Sequence, residues 1–119
     1  MQQIDHIDEK VVMFLTHNDV VQKRGNLCEA TRKWWRCSQE RVMEADYVFS
    51  IIDGEVKEVY KVTGYHEEYD DGTAYPSFNG KRLVLDLILA PDYIRTKYKD
   101  KILPSEYKPW GQNPVRYNF

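Results

Sequence analysis

Residues 46–65, DYVFSIIDGEVKEVYKVTGY, decide the fold. At their centre stands Asp53-Gly54. A tight two-residue hairpin turn needs positive φ at both central positions, which Asp tolerates and Gly adopts without steric cost. Residues 46–52 are rich in β-branched and aromatic side chains and read as a strand. Residues 55–65 read as the strand that returns. In that return Val56, Val59, Tyr60 and Val62 do not alternate strictly, which predicts a bulge.

Working outward, residues 10–16 (KVVMFLT) form a short apolar run, the signature of a strand buried on both faces. Residues 17–26 are polar and close at Gly25-Asn26, so they read as a loop. Residues 27–35 fit a short helix or an irregular arm. Ser38 suits an N-cap, with Glu40 in the first turn, for a helix through Ala45. Residues 66–81 (HEEYDDGTAYPSFNGK) read as an acidic loop, longer than the usual connection. Residues 82–90 (RLVLDLILA) read as a strand, and Pro91 opens a short helix ending near Lys101. The terminal VRYNF could add a last strand, and residues 1–9 read as flexible. The order predicts one compact α+β domain over residues 1–119. Its expected form is a mostly antiparallel, partly open β-barrel with two or three short flanking helices.

Composition narrows the class. With 42% apolar and 30% charged residues the chain is an ordinary globular one. A net charge of −2 argues against a polybasic binder, so any nucleic-acid contact is expected to be a local patch. No apolar run approaches the roughly 20 residues of a membrane span. The opening MQQIDHIDEK is polar and acidic, unlike a signal peptide. A cytoplasmic protein without a membrane partner is expected. Cys28 and Cys37 fit neither a CxxC motif nor a disulfide framework, and read as free thiols.

The strongest candidate site is the segment LCEATRKWWRCSQERVM, residues 27–43. From Val20 to Met43 six Lys/Arg face two Asp/Glu, a local balance of +4 in an acidic chain. Trp34 and Trp35 lie within that basic run. Phosphates need cations and bases need π-faces, so Arg32, Trp35 and Arg36 point to a nucleotide or nucleic acid. Adjacent side chains cannot share one face, so one tryptophan is as well suited to the core. A second candidate is the stretch around Trp110, Gln112, Asn113 and Arg116, where the two amides could read a base edge. A rigid turn at Asn113-Pro114 accounts for the same residues. Tyr65 adds an aromatic face. His66 with Glu67, Glu68, Asp70 and Asp71 lacks the ligand spacing of a metal site and reads as a solvated acidic run. No cofactor is expected. Were the chain an enzyme, His66, Asp86 and Glu58 would be the acid/base candidates. Asp86, among apolar residues, fits an exposed or edge face of its strand better than a groove.

The residues Ala30-Thr31-Arg32, Trp35-Arg36, Glu40-Arg41, Ala45-Asp46-Tyr47, Gly54, Glu58-Val59-Tyr60 and His66 form a recurring pattern with the terminal Gly111-Gln112-Asn113-Pro114-Val115-Arg116-Tyr117. This pattern, from about residue 12 onward, resembles a small family of bacterial and phage domains. The family's layout is similar to the PUA-like superfamily, which includes the ASCH, EVE, YTH and SRA domains. The resemblance implies a small, partly open barrel with an aromatic-lined pocket for RNA or modified bases. It also implies a link to bacterial or phage defence. No nuclease or ATPase is attached here, so a specificity role would need a separate partner.

Three functions are therefore expected, in descending weight. The first is a nucleic-acid or nucleotide binding module. The second is a protein-interaction factor acting on a host defence enzyme, using the acidic 67–71 run and exposed aromatics. The third is a small enzyme acting on nucleic acid or nucleotide.

Overall fold

The computed structural model describes residues 2–32, 38–69, 81–107 and 114–119. In chain order the elements are β1 (Val11–Leu15), α1 (Asn18–Arg24), α2 (Leu27–Arg32), α3 (Gln39–Glu44), β2 (Tyr47–Ile52), β3 (Glu55–Tyr69), β4 (Lys81–Leu89), α4 (Asp92–Tyr98), β5 (Lys101–Ile102) and β6 (Val115–Tyr117). The sheet order is β4-β3-β2-β1-β6, with β5 also on β3. β1 runs parallel to β2, and the other pairs are antiparallel. The result is an α+β fold on an open, mixed sheet. Its end strands β4 and β6 do not pair among the described residues, so a barrel closure is not observed. A parallel pair needs a long crossover, and here that crossover carries α1, α2 and α3.

The central hairpin forms as its sequence demands. Asp53 (φ 53°) and Gly54 (φ 78°) both take the positive φ of the turn. The expected bulge is present: Glu58 pairs with Ser50 while Val56 pairs with Ile51, leaving Lys57 as the extra residue. A second register shift leaves Thr63 extra, between Val62 and Gly64. At the expected cap, the Ser38 hydroxyl accepts from Arg41 N at 3.3 Å.

Four expectations need correction. Residues 18–24 are a helix, not a loop, ended by Gly25 at φ 101°. Residues 66–69 belong to β3, because each has a partner on β4, Tyr69 reaching Lys81. Residues 2–9 are packed: Ile4 N donates to Ile102 O at 2.8 Å, Ile102 N donates to Gln2 O at 2.9 Å, and Ile4 and Ile7 are buried. α4 stops at Tyr98, since the Lys99-Asp100 turn (Asp100 φ 61°) returns the chain into β5.

The sheet is buried on both faces. Val11 and Met13 join Phe49, Ile51, Val56 and Val59 beneath Ile94 and Tyr98 of α4. Phe49 and Tyr98 stack with ring centroids 5.1 Å apart. Val12 and Phe14 join Val48, Tyr60, Leu85 and Val115 on the opposite face, under Val42 of α3 and against Cys28 of α2. β1 is thus buried on both sides, as its unbroken apolar run predicts. On the α2–α3 face a buried hydroxyl pair fixes helix to sheet. Thr31 Oγ1 donates to Leu27 O at 2.8 Å, so Ser50 is the donor to Thr31 Oγ1 at 2.7 Å.

One edge of β3 is lined by a single continuous stretch of chain. β4 pairs down to Leu89 opposite Tyr60, and Ala90 N donates to Val59 O at 3.1 Å. α4 then bridges a gap. Asp100 N donates to Val56 O at 2.7 Å, and β5 resumes the pairing.

Candidate functional site

The basic, aromatic segment is flanked by two helices that lie on one face of the sheet. α2 contributes Cys28 and Thr31 to that face, and α3 contributes Val42. The Asn26 side chain opens α2 by accepting Glu29 N at 2.9 Å. Residues 33–37, with Trp35 and Arg36, lie outside the described residues, as do Trp110, Gln112 and Asn113. Arg32 closes α2, and its side chain lies outside the description too.

Two described side chains share this face with the segment's flanks. Tyr65 is 43% exposed and pairs across the strands with Leu85, a core residue of the same face. Arg41 of α3 is exposed, its guanidinium carbon 4.1 Å from the Tyr117 ring centroid and 5.4 Å from that of Phe119. It also donates to the Phe119 carbonyl. Such stacking orders a long cationic side chain without neutralising its charge. Arg41 escaped the expected site because only its charge was legible. Its stacking partners lie 76 and 78 residues further on.

Arg116 does not join this group. It pairs with Met13, whose side chain belongs to the α4 face, and Nη1 donates to Tyr107 O at 2.7 Å. Arg116 thus stands on the face of the sheet opposite α2 and α3.

The acid/base candidates divide. Glu58 is 9% exposed and accepts from Arg95 Nε at 2.8 Å, Arg95 Nη2 at 3.0 Å and Val59 N at 3.0 Å, with Lys99 Nζ 3.2 Å away. Burial alone would raise its pKa, but Arg95, the Val59 amide and Lys99 together hold it below the usual carboxylate value. Glu58 therefore ties α4 across the gap in the β3 edge and holds no proton at neutral pH. His66 and Asp86 do come together: Nδ1 lies 3.7 Å from Asp86 Oδ1, each side chain about half exposed on adjacent strands. Asp86 stands on the edge strand β4. Its carboxylate lies close to Gly64, where a Cβ would sit 3.2 Å from Oδ2. Among the described residues no group of three His, Cys, Asp or Glu could hold a metal, and no helix is long and apolar enough to cross a membrane. Cys28 is half-buried on α2, and Cys37 lies outside the description.

Comparison with protein-family models, with curated proteins and with solved structures gave no match to this chain.

Proposed function

We propose that this chain is a nucleic-acid or nucleotide binding module whose contact surface is the α2–α3 face. One observation carries the reading. The helices on either side of the Lys/Arg/Trp segment lie on the same face as exposed Tyr65 and the ring-stacked Arg41. That grouping offers what the ligand requires: cations for phosphate and flat aromatic surfaces for bases. In this proposal Arg32, Arg36 and Arg41 hold phosphates, and Trp35 and Tyr65 stack on bases. Gln112 and Asn113 contact a base edge, modified bases included. A PUA-like barrel, a cytoplasmic setting and a role in phage or bacterial defence or counter-defence belong to the same proposal, supported by the motif residues. The acid/base reading has weaker support, the His66–Asp86 pair alone.

The test is tryptophan fluorescence titration with single- and double-stranded oligonucleotides and mononucleotides at several salt concentrations. Quenching with an affinity that falls as salt rises is expected. Replacing Trp35 and Arg36 together by alanine should abolish it in a folded protein. Unchanged affinity in the folded variant would sink the proposal.

A further inference from the structure

A second surface lies between the start of α4 and the end of α3, and its reading does not rest on the nucleic-acid proposal. Beside the N-terminal end of α4 lies an open groove of about 430 Å³. Tyr47, Tyr93 and Ile94 line it together with Met43, Ala45 and Val62 from the α3 side, and Glu9, Asp46 and Lys61 supply its charges. Tyr93 is 71% exposed, and it lines the groove beside Tyr47. The neighbouring Tyr93 phenol, burial and then the nearby Glu9 and Asp46 carboxylates push the Tyr47 phenol up to about 12. Both carboxylates thus bear on the Tyr47 hydroxyl. Glu9 is already held by Lys97 Nζ at 3.2 Å and by the Tyr98 hydroxyl. Asp46 Oδ2 accepts only the Lys10 amide, at 3.0 Å, and has no ion-pair partner among the described residues. Across the strands Lys61 pairs with Ile88, which is 53% exposed.

We propose that this groove docks an arginine side chain presented by a partner protein. The guanidinium lies on the Tyr93 ring and turns its N–H edge to Asp46 and Glu9, while an apolar neighbour in the partner rests on Ile88. Three features select this occupant. Glu9 is already paired with Lys97, so Asp46 is the lining carboxylate without an ion-pair partner among the described residues, and it draws a cation rather than a phosphate. A planar, forked cation matches an aromatic plane with carboxylates at its edge, whereas an ammonium would meet only one of them. An open trough beside exposed Ile88 fits a side chain carried on a peptide better than a free small molecule, which needs deeper enclosure. Lys61 stands at the rim, where it favours an acidic residue beside the arginine.

The experiment is a titration of the ¹⁵N-labelled full chain with acetyl-leucyl-arginyl-leucinamide, followed by amide chemical shifts. The neutral citrulline counterpart is the control. The arginine peptide should shift Asp46, Tyr47, Lys61 and Tyr93, and the citrulline peptide should bind about tenfold more weakly, a loss of about 1.4 kcal/mol. Asp46→Asn keeps an acceptor for the Lys10 amide, so it should fold and also lose about tenfold. Tyr93→Leu, at an exposed position, should do the same. Equal binding of both peptides would overturn the proposal, as would shifts confined to α2, α3 and Tyr65. So would argininamide binding as tightly as the peptide. Self-association that shifts the groove signals without peptide would assign the groove to a second copy and overturn it as well. An oligonucleotide titration reads the α2–α3 face separately, so either proposal can fail alone.

Discussion

On the α4 face of the sheet, charged side chains are tied to one another. On the α2–α3 face the described cation lies against rings. Glu58 is shared by Arg95 and Lys99, and Lys97 binds both Asp8 and Glu9. Arg41 lies against two aromatic rings and donates to the Phe119 main-chain oxygen, with no Asp or Glu ion pair among the described residues. Opposite charges paired at short range lose most of their reach toward a ligand. A cation ordered by π-stacking keeps its field. The first arrangement fixes α4 and the N-terminal segment in place, and the second leaves a positive charge available at the surface.

Substitutions can break or sharpen this contrast. The largest effect should come from Phe49→Ala, which removes the ring under Tyr98. A loss of roughly 3–5 kcal/mol is expected in denaturant titrations. Next, Glu58→Gln should lower the melting temperature by roughly 5–10 °C. It should also flatten the acid side of the stability profile. Because the folded pKa of Glu58 lies below its ordinary 4.5, its contribution is complete above pH 4.5 and fades as pH falls through the folded value. An unchanged acid slope in Glu58→Gln would assign the acid sensitivity to Asp8 and Glu9, which are lowered in the same way. Thr31→Val tests the buried hydroxyl contact between α2 and the sheet. Loss of the Ser50 partner should cost roughly 1–2 kcal/mol in thermal melts. The smallest stability effect should be that of Arg41→Ala, within about 0.5 kcal/mol. Oligonucleotide affinity should nevertheless fall and the salt slope should decrease by about one. A large destabilisation there would make the Arg41 stack structural and erase the contrast.

The hairpin was legible because Asp53-Gly54 is a local signal, read from two residues. The Ser38 cap was legible for the same reason. α1 was missed although its signals were present: Asp19 in the first turn and Gly25 just beyond the end. With no side-chain cap at His17, the polar composition of residues 17–26 prevailed. Residues 66–69 are acidic enough to suggest a loop, but tertiary pairing with β4 overrides composition. The site was less legible because its partners are remote in sequence. Arg95 comes 37 residues after Glu58, and Asp86 comes 20 after His66. Spacing along the chain carried no trace of either pair. Arg116 looked like part of one basic group, yet a strand's alternation sends it to the other face from Tyr117.

The placement of β1 has a consequence for synthesis. It lies between β2 and β6, and Val12 faces Tyr117 across 105 residues. As the chain leaves the ribosome, every other strand of the sheet emerges before β6. Until then one edge of β1, the most apolar strand of the sheet, has no hydrogen-bonding neighbour. An edge of that kind invites pairing with another nascent chain.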